Sequence, residues 1–328
     1  MSTVFVTGGA GYVGSHACKA FAKAGWRVVV YDNLSRGWRD AVRWGPLVEG
    51  DILDRPALDR AFAEHKPDLV AHFAAFAYVG ESNEQPDLYY RNNCTGTLTL
   101  LEAMQAAGIG RFVFSSSCAT YGVPVRQPID ETHPQWPINP YGWSKLVCER
   151  MIHDQCAAYG LAAAALRYFN AAGADRDGEI GERHEPETHA IPLAIEAAVT
   201  ESGRFTINGG DLDTRDGTCV RDYIHVDDLA RAHVLAGEWL AGRPGFHPFN
   251  LGTGTGTTVK ELTDTVRRVS GHPFDVKVGP PRPGDPASLV AEAGKAEQLL
   301  GWRAECSDIE GIVKDALAWR LSQAARTL

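Results

Sequence analysis

The chain has 328 residues, 44% hydrophobic and 22% charged, which is ordinary folded material, long enough for two packed domains or one large α/β unit. Its 41 acidic and 32 basic residues leave a net charge of -9, so no broad basic surface exists for nucleic acid or an anionic membrane. No apolar run approaches the roughly 20 residues that span a bilayer, and the seven cysteines are odd in number, scattered and without Cys-x-x-Cys spacing, so they read as reduced packing residues. The N-terminus enters a strand at once, without the basic flank and apolar stretch of an export signal, and a cytoplasmic location is the expectation.

In chain order, Thr3-Val4-Phe5-Val6-Thr7 is a short β-rich run, followed by an amphipathic stretch over 14–24 and a strand over 27–31. This is one βαβ unit. The alternation continues through a strand at 69–73, a helix at 88–107, a strand at 111–114, a helix at 141–159 and a strand at 163–169. Strands apolar on both faces and separated by helices call for a parallel sheet covered on each side. The fold class expected is therefore α/β, a Rossmann-type doubly wound parallel sheet with a smaller C-terminal α/β domain. The first domain is expected over 1–170, joined by 218–250, and the second over 171–328. Asp222 to Val226 reads as a strand that returns to the sheet and leads into an Asp-capped helix.

Gly8-x-x-Gly11-x-x-Gly14 lies where the first strand meets the first helix. Missing side chains there let backbone N–H groups and the helix N-terminus approach a pyrophosphate. Asp32, ending the second strand, is placed to accept hydrogen bonds from a ribose and to repel a 2′-phosphate, which favours NAD over NADP. Ser115-Ser116-Ser117 ends a later strand at the carboxyl edge, where open α/β sheets bind ligands, and a hydroxyl there could orient an alcohol. Tyr141 and Lys145 are spaced i, i+4 on one helix face, so an ammonium can lie near a phenol whose ordinary pKa of about 10 is too high for a base at neutrality. Arg221, Arg282 and Asp285 are candidates for a second phosphorylated ligand, because guanidinium forks match phosphate oxygens and a carboxylate matches vicinal hydroxyls.

Three other patterns read as structural. Gly252-Thr253-Gly254-Thr255-Gly256 follows a strand but opens no βαβ unit, so it is a strand-to-helix turn. His184-Glu185-Pro186-Glu187-Thr188-His189 looks superficially like a metal cluster, but its proline and irregular spacing deny the i, i+4 face of helical zinc sites, and no metal is expected. No Gly-x-Ser-x-Gly elbow supports a serine hydrolase.

With the glycine loop, Ser117 and Tyr141-x-x-x-Lys145 in order, the chain resembles the extended short-chain dehydrogenase/reductase superfamily and, within it, the UDP-glucose 4-epimerase family. The resemblance runs nearly end to end and is most specific at Tyr168-Phe169-Asn170 and Arg221-Asp222-Tyr223-Ile224-His225-Val226. It implies a held NAD that is reduced and reoxidised within each turnover. Tyr141 would act as base on the sugar 4-hydroxyl, with Ser117 relaying or orienting the proton and Lys145 lowering the Tyr141 pKa and binding the nicotinamide ribose. The 4-ketosugar would then turn over about its phosphate link and be reduced on its opposite face, interconverting UDP-galactose and UDP-glucose. The resemblance also implies a cofactor shell of Gly8, Gly11, Tyr12, Val13, Gly14, Asp32, Asn33, Asp51, Ile52, Phe73, Ala74, Asn92, Tyr141, Lys145 and Phe169. It implies UDP-sugar contacts from Ser117, Tyr141, Asn170, Arg221, Tyr223, Arg282 and Asp285. His189 stands where some members carry a substrate-contacting Asn, Asn208 where some carry an aromatic near the uracil, and Leu289 at a position lining the sugar pocket.

Alternatives within the resemblance are an epimerase of UDP-N-acetylhexosamines or UDP-uronic acids and a 4,6-dehydratase. The dehydratase family places an Asp-Glu pair where this chain has Cys118 and Ala119, which disfavours elimination. A catalytically silent NAD-sensing protein is opposed by the retention of Ser117, Tyr141 and Lys145. A homodimer is expected, from the resemblance and from two long helices able to pair as a bundle.

Overall fold

The computed structural model describes residues 1–201, 203–281 and 286–326. Strands β1 (Thr3–Thr7), β2 (Arg27–Asp32), β3 (Leu47–Glu49), β4 (Leu69–His72), β5 (Arg111–Ser115) and β6 (Ala162–Tyr168) run through one seven-stranded sheet. Its order is Gly245–Leu251, β6, β5, β4, β1, β2, β3, and every neighbouring pair is parallel. The order reverses between β1 and β4, which places a crevice at their carboxyl ends.

Both faces of the sheet are covered. Val4, Val6, Val28, Val30, Leu69, Ala71 and Val113 bury one face against Phe21 of helix α1 (Tyr12–Lys23) and Leu229 of the helix Val226–Trp239. Phe5, Val29, Val70, Phe112 and Phe114 bury the other against Leu58, Leu101 and Ile152 from helices on that side. Period-2 alternation along each strand sends successive side chains to opposite layers, and both layers are apolar because neither meets water.

Several sequence expectations are corrected. The strand within Asp222 to Val226 does not return to the large sheet: Tyr223–His225 pairs with Asn170–Ala172 in a separate two-stranded sheet. The following helix is capped by the His225 imidazole, which accepts the Asp227 N–H at 3.0 Å. Asp228 instead accepts N–H groups of Glu305 and Cys306 and the Ser307 hydroxyl, fastening the C-terminal segment. The expected helix over 88–107 is interrupted by a π-turn, Tyr90–Thr95, between Pro86–Tyr89 and Gly96–Ala106. The glycine string 252–256, expected as a strand-to-helix turn, leads from Gly245–Leu251 into the two-residue strand Thr257–Thr258 before the helix Val259–Ser270, and the buried Asp222 carboxylate holds it by accepting the Thr253 and Gly254 N–H groups. Helices Ala190–Val199, Val259–Ser270 and Ile309–Arg326 share a second core around Ile195, Leu262, Val266, Ile312 and Val313.

A buried ion pair lies behind the sheet edge. Arg167 on β6 meets Glu149 of the helix Pro140–Tyr159 at 2.5 and 2.9 Å, and the same carboxylate accepts the Ser116 hydroxyl at 2.6 Å. The helix carrying Tyr141 is thereby fixed to the strands that carry Ser115 and Tyr168.

Candidate active site

β1 ends at Thr7 and the chain turns through Gly8 with φ 73°. A Cβ there would sit 2.5 Å from the Ala74 nitrogen, and one on Gly14 would sit 2.1 Å from the Gly8 carbonyl oxygen. Loop, helix and the end of β4 can therefore close on one another only with glycine at both positions. Gly11 caps α1 without offering a side chain to its amides, and its own face meets only the Gly8 oxygen at 3.3 Å. The first N–H groups of α1 are left for an anion. Tyr12 and Val13 open the helix, and the Tyr12 hydroxyl donates to the Gly173 carbonyl at 2.7 Å.

Asp32 is buried at the end of β2, and its carboxylate accepts the N–H of Ala10 at 2.9 Å and of Leu34 at 2.8 Å. Burial pushes this carboxyl up, against those two bonds. Asn33 donates to Asp51 at 3.0 Å, and Ile52 lies under Gly96, where a Cβ would come within 2.4 Å of it. Phe73 and Ala74 continue from β4. The turn without side chains, the open helix terminus and the acid at the end of β2 are the features a dinucleotide needs, so these residues fit one.

Tyr141, Ser144 and Lys145 lie buried on the helix Pro140–Tyr159. Its start is fixed by Pro140 and by Asn139, whose side chain accepts the Gly142 N–H at 2.8 Å. The Lys145 ammonium donates to the Ser115 carbonyl at 2.8 Å and stands 6.0 Å from the centre of the Tyr141 ring. Ser117, also buried, accepts the Ala119 N–H at 3.1 Å. Burial pushes the Tyr141 phenol well above its ordinary value, and Ser117 pulls the other way. Burial also pushes the Lys145 ammonium down, to about 8. In the polypeptide alone burial therefore keeps the phenol protonated.

Of the expected substrate contacts, Asn170 opens the strand Asn170–Ala172, directly after the buried Phe169. Tyr223 is its register partner. Arg221 lies on the short strand Val220–Arg221, opposite Leu289, and Leu289 packs against the buried cluster of Cys118, Tyr121, Ile129, Phe169 and Ala291. Arg282 and Asp285 lie outside the described residues.

The model of the NAD dependent epimerase/dehydratase family matches residues 4–252. The chain belongs to that family. It is 55% identical over 317 residues to a UDP-glucose 4-epimerase of Rhizobium leguminosarum bv. trifolii, covering 97% of each chain. Among solved structures, it superposes with TM-score 0.94 on the UDP-glucose 4-epimerase of Brucella ovis in complex with NAD, at 51% identity, covering 97% of this chain and 98% of that one. A UDP-glucose-4-epimerase of Stenotrophomonas maltophila with bound NAD and formylated UDP-arabinopyranose gives TM-score 0.96 at 38% identity, covering 99% and 100%.

Within this epimerase/dehydratase chain the fold adds residues that sequence reasoning missed. Asn93, buried in the π-turn beside Asn92, donates to the Phe76 carbonyl at 3.0 Å and to the Ser144 hydroxyl at 2.9 Å. It braces the Tyr141 helix from the opposite side. The neutral His72 bridges Thr7 at 2.6 Å and Thr97 at 3.0 Å below the glycine loop, burial pushing its pKa down to about 3. The argument against a cluster at 184–189 is corrected: Glu182, His184, Glu187 and His189 bring one ligand atom each within 4.8 Å of one another. A loop folding back on itself achieves what helical spacing could not.

Proposed function

We propose that this chain interconverts UDP-galactose and UDP-glucose by transient oxidation at sugar carbon 4, using bound NAD. The observation carrying this reading is the joint burial of Ser117, Tyr141 and Lys145 after β5, in the parallel sheet whose strand β1 runs into the glycine loop, in a chain 55% identical to a UDP-glucose 4-epimerase over nearly its full length.

The α1 N-terminus at Gly11, Tyr12 and Val13 would hold the pyrophosphate, Asp32 the adenosine ribose, and Asn33, Asp51, Ile52, Phe73, Ala74, Asn92 and Phe169 the remaining dinucleotide surface. Bound in its oxidised form, NAD would supply a two-electron acceptor for carbon 4 and, until it is reduced, a positively charged nicotinamide ring. Tyr141 removes the proton of the 4-hydroxyl and returns it after the ketosugar has turned its other face. Ser117 orients that hydroxyl, and Lys145 adds its charge and binds the nicotinamide ribose. Asn170, Arg221, Tyr223, Arg282 and Asp285 would anchor the UDP portion, so only the sugar moves. We assign 1–170 with 218–250 to the dinucleotide and 171–328 to the UDP-sugar.

The reading includes a homodimer in the cytoplasm. Leu98 and Val147, each 38% exposed, and Tyr159, 60% exposed, give the helices Gly96–Ala106 and Pro140–Tyr159 apolar outer positions for a second copy. No helix among the described residues is long and apolar enough to cross a membrane. The deciding experiment mixes purified protein with UDP-galactose, without added oxidant, and follows the sugar anomeric signals by NMR. Appearance of UDP-glucose at equilibrium is expected, and no conversion even with NAD added overturns the proposal. Sedimentation at micromolar concentration tests the dimer.

A further inference from the structure

We propose that Glu182, His184, Glu187 and His189 form a site for one divalent ion of the zinc class. The Glu182 carboxylate stands 3.0 Å from His184 Nδ1 and 2.9 Å from His189 Nδ1, and the Glu187 carboxylate stands 2.8 Å from His189 Nδ1 and 3.7 Å from His184 Nδ1. Four ligands around zinc at about 2.0–2.1 Å occupy a tetrahedron with edges of about 3.3 Å. The separations from Glu182 Oε1 to both imidazoles and from Glu187 Oε1 to His189 are about 0.3–0.5 Å shorter than such an edge, that from Glu187 Oε2 to His184 is about 0.4 Å longer, and one ligand atom from each residue lies within 4.8 Å of the others. Two imidazoles with two carboxylates suit a zinc-class ion rather than magnesium or calcium, which prefer all-oxygen shells, and two carboxylates neutralise its charge.

The ligands are held before any ion arrives. The Glu182 carbonyl accepts the Trp319 indole N–H at 3.1 Å, and the Arg183 carbonyl accepts that of Trp38 at 3.1 Å. Glu187 Oε1 accepts the N–H groups of Thr188 and His189 at 2.7 and 2.8 Å. The His184 ring is walled edge-on by Tyr12 and Tyr78, with centres 6.1 and 5.7 Å away. Glu182 is almost wholly buried, its side chain 8% exposed, and among the described residues both carboxylates pair with the two imidazoles and with no lysine or arginine. The second acidic group, Asp175, Asp177 and Glu179, differs in this respect. Lys19 sits within 2.7 Å of all three carboxylates and takes the place of a cation there.

An ion at the four-residue site would replace the two Nδ1 protons shared with Glu182. It would also clamp the loop that leads into the helix Ala190–Val199 against Tyr12, at the mouth of the glycine loop.

The test uses the tag-free, NAD-containing protein. Metal content after growth with zinc is measured by inductively coupled plasma mass spectrometry. The chelator-treated protein is then titrated with cobalt(II), and the visible d–d bands of a four-coordinate nitrogen–oxygen set are recorded. One zinc per chain and a saturating cobalt spectrum are expected, both weakened roughly tenfold or more in His184→Gln/Glu187→Gln, with far-UV circular dichroism and bound NAD showing that the variant is folded. Wild-type protein that takes up neither ion at micromolar concentration overturns the proposal and leaves a histidine–carboxylate ion-pair network. Metal retained in the folded variant overturns it too, by placing the ion elsewhere. If the variant does not fold, His184→Gln alone is substituted, and the wild-type cobalt spectrum decides the nitrogen–oxygen ligand set.

Discussion

Replacing Arg167 with Met tests whether the ion pair behind the sheet edge is what sets the Tyr141 helix in place. Arg167 and Glu149 are almost wholly buried, with side chains 4% and 3% exposed. The guanidinium also donates to the Tyr121 hydroxyl at 3.0 Å, which in turn donates to Asn250 at 2.6 Å. Met conserves much of the volume but leaves the Glu149 charge, among the described residues, with the Ser116 hydroxyl and the Gln135 amide, the latter at 3.3 Å. Removing one partner of a buried pair costs about 3–5 kcal/mol, whereas replacing both is close to neutral. At about 2.1 cal/mol/K per residue, 328 residues give an unfolding entropy of roughly 0.7 kcal/mol/K, so Tm should fall by about 4–7 °C. Calorimetry of the NAD-containing protein reads this directly, and Glu149→Met/Arg167→Met should recover most of the loss. A single variant within about 1 kcal/mol of wild type, or a double variant no better than the single, refutes the reasoning.

Tyr141→Phe should lower kcat by about 10²–10⁴ in NAD-saturated protein, and steady-state kinetics showing a change of only a few-fold would remove Tyr141 as the base. Gly8→Ala must accommodate φ 73° and a contact 2.5 Å from the Ala74 nitrogen, which costs at least about 1–2 kcal/mol; the protein should purify with less NAD, measured by absorbance after acid release, and melt lower. Lys145 is held near 8 against an ordinary 10.5, so between those values the unfolded chain binds more protons than the folded one. The stability of NAD-free protein should therefore rise across about pH 8 to 10.5, by about 3 kcal/mol from this group. Urea midpoints of wild type minus Lys145→Met, plotted against pH, isolate the slope; a flat difference refutes it.

The sequence alone determined the βαβ alternation and the chemistry of the glycine loop, because both are local. Continuous apolar runs separated by amphipathic helices specify a parallel sheet covered on both faces, and missing side chains are visible letter by letter at Gly8, Gly11 and Gly14. The spacing of Tyr141 and Lys145 is likewise fixed by the helical repeat. Contacts between residues far apart in the chain were decided only by the tertiary structure. Tyr223–His225 reads as a sheet strand, yet it pairs with Asn170–Ala172, since a strand this short can satisfy its ladder with whichever partner the chain path brings near. The helical pattern over 88–107 gave no sign of the π-turn that lets Asn93 reach Ser144. Convergence of Glu182, His184, Glu187 and His189 follows no repeat at all: an irregular loop, pinned by Trp38 and Trp319 from distant segments, turns four side chains inward. Burial acts in the same way on Tyr141 and Lys145, whose proton affinities depend on the water excluded around them rather than on their four-residue spacing.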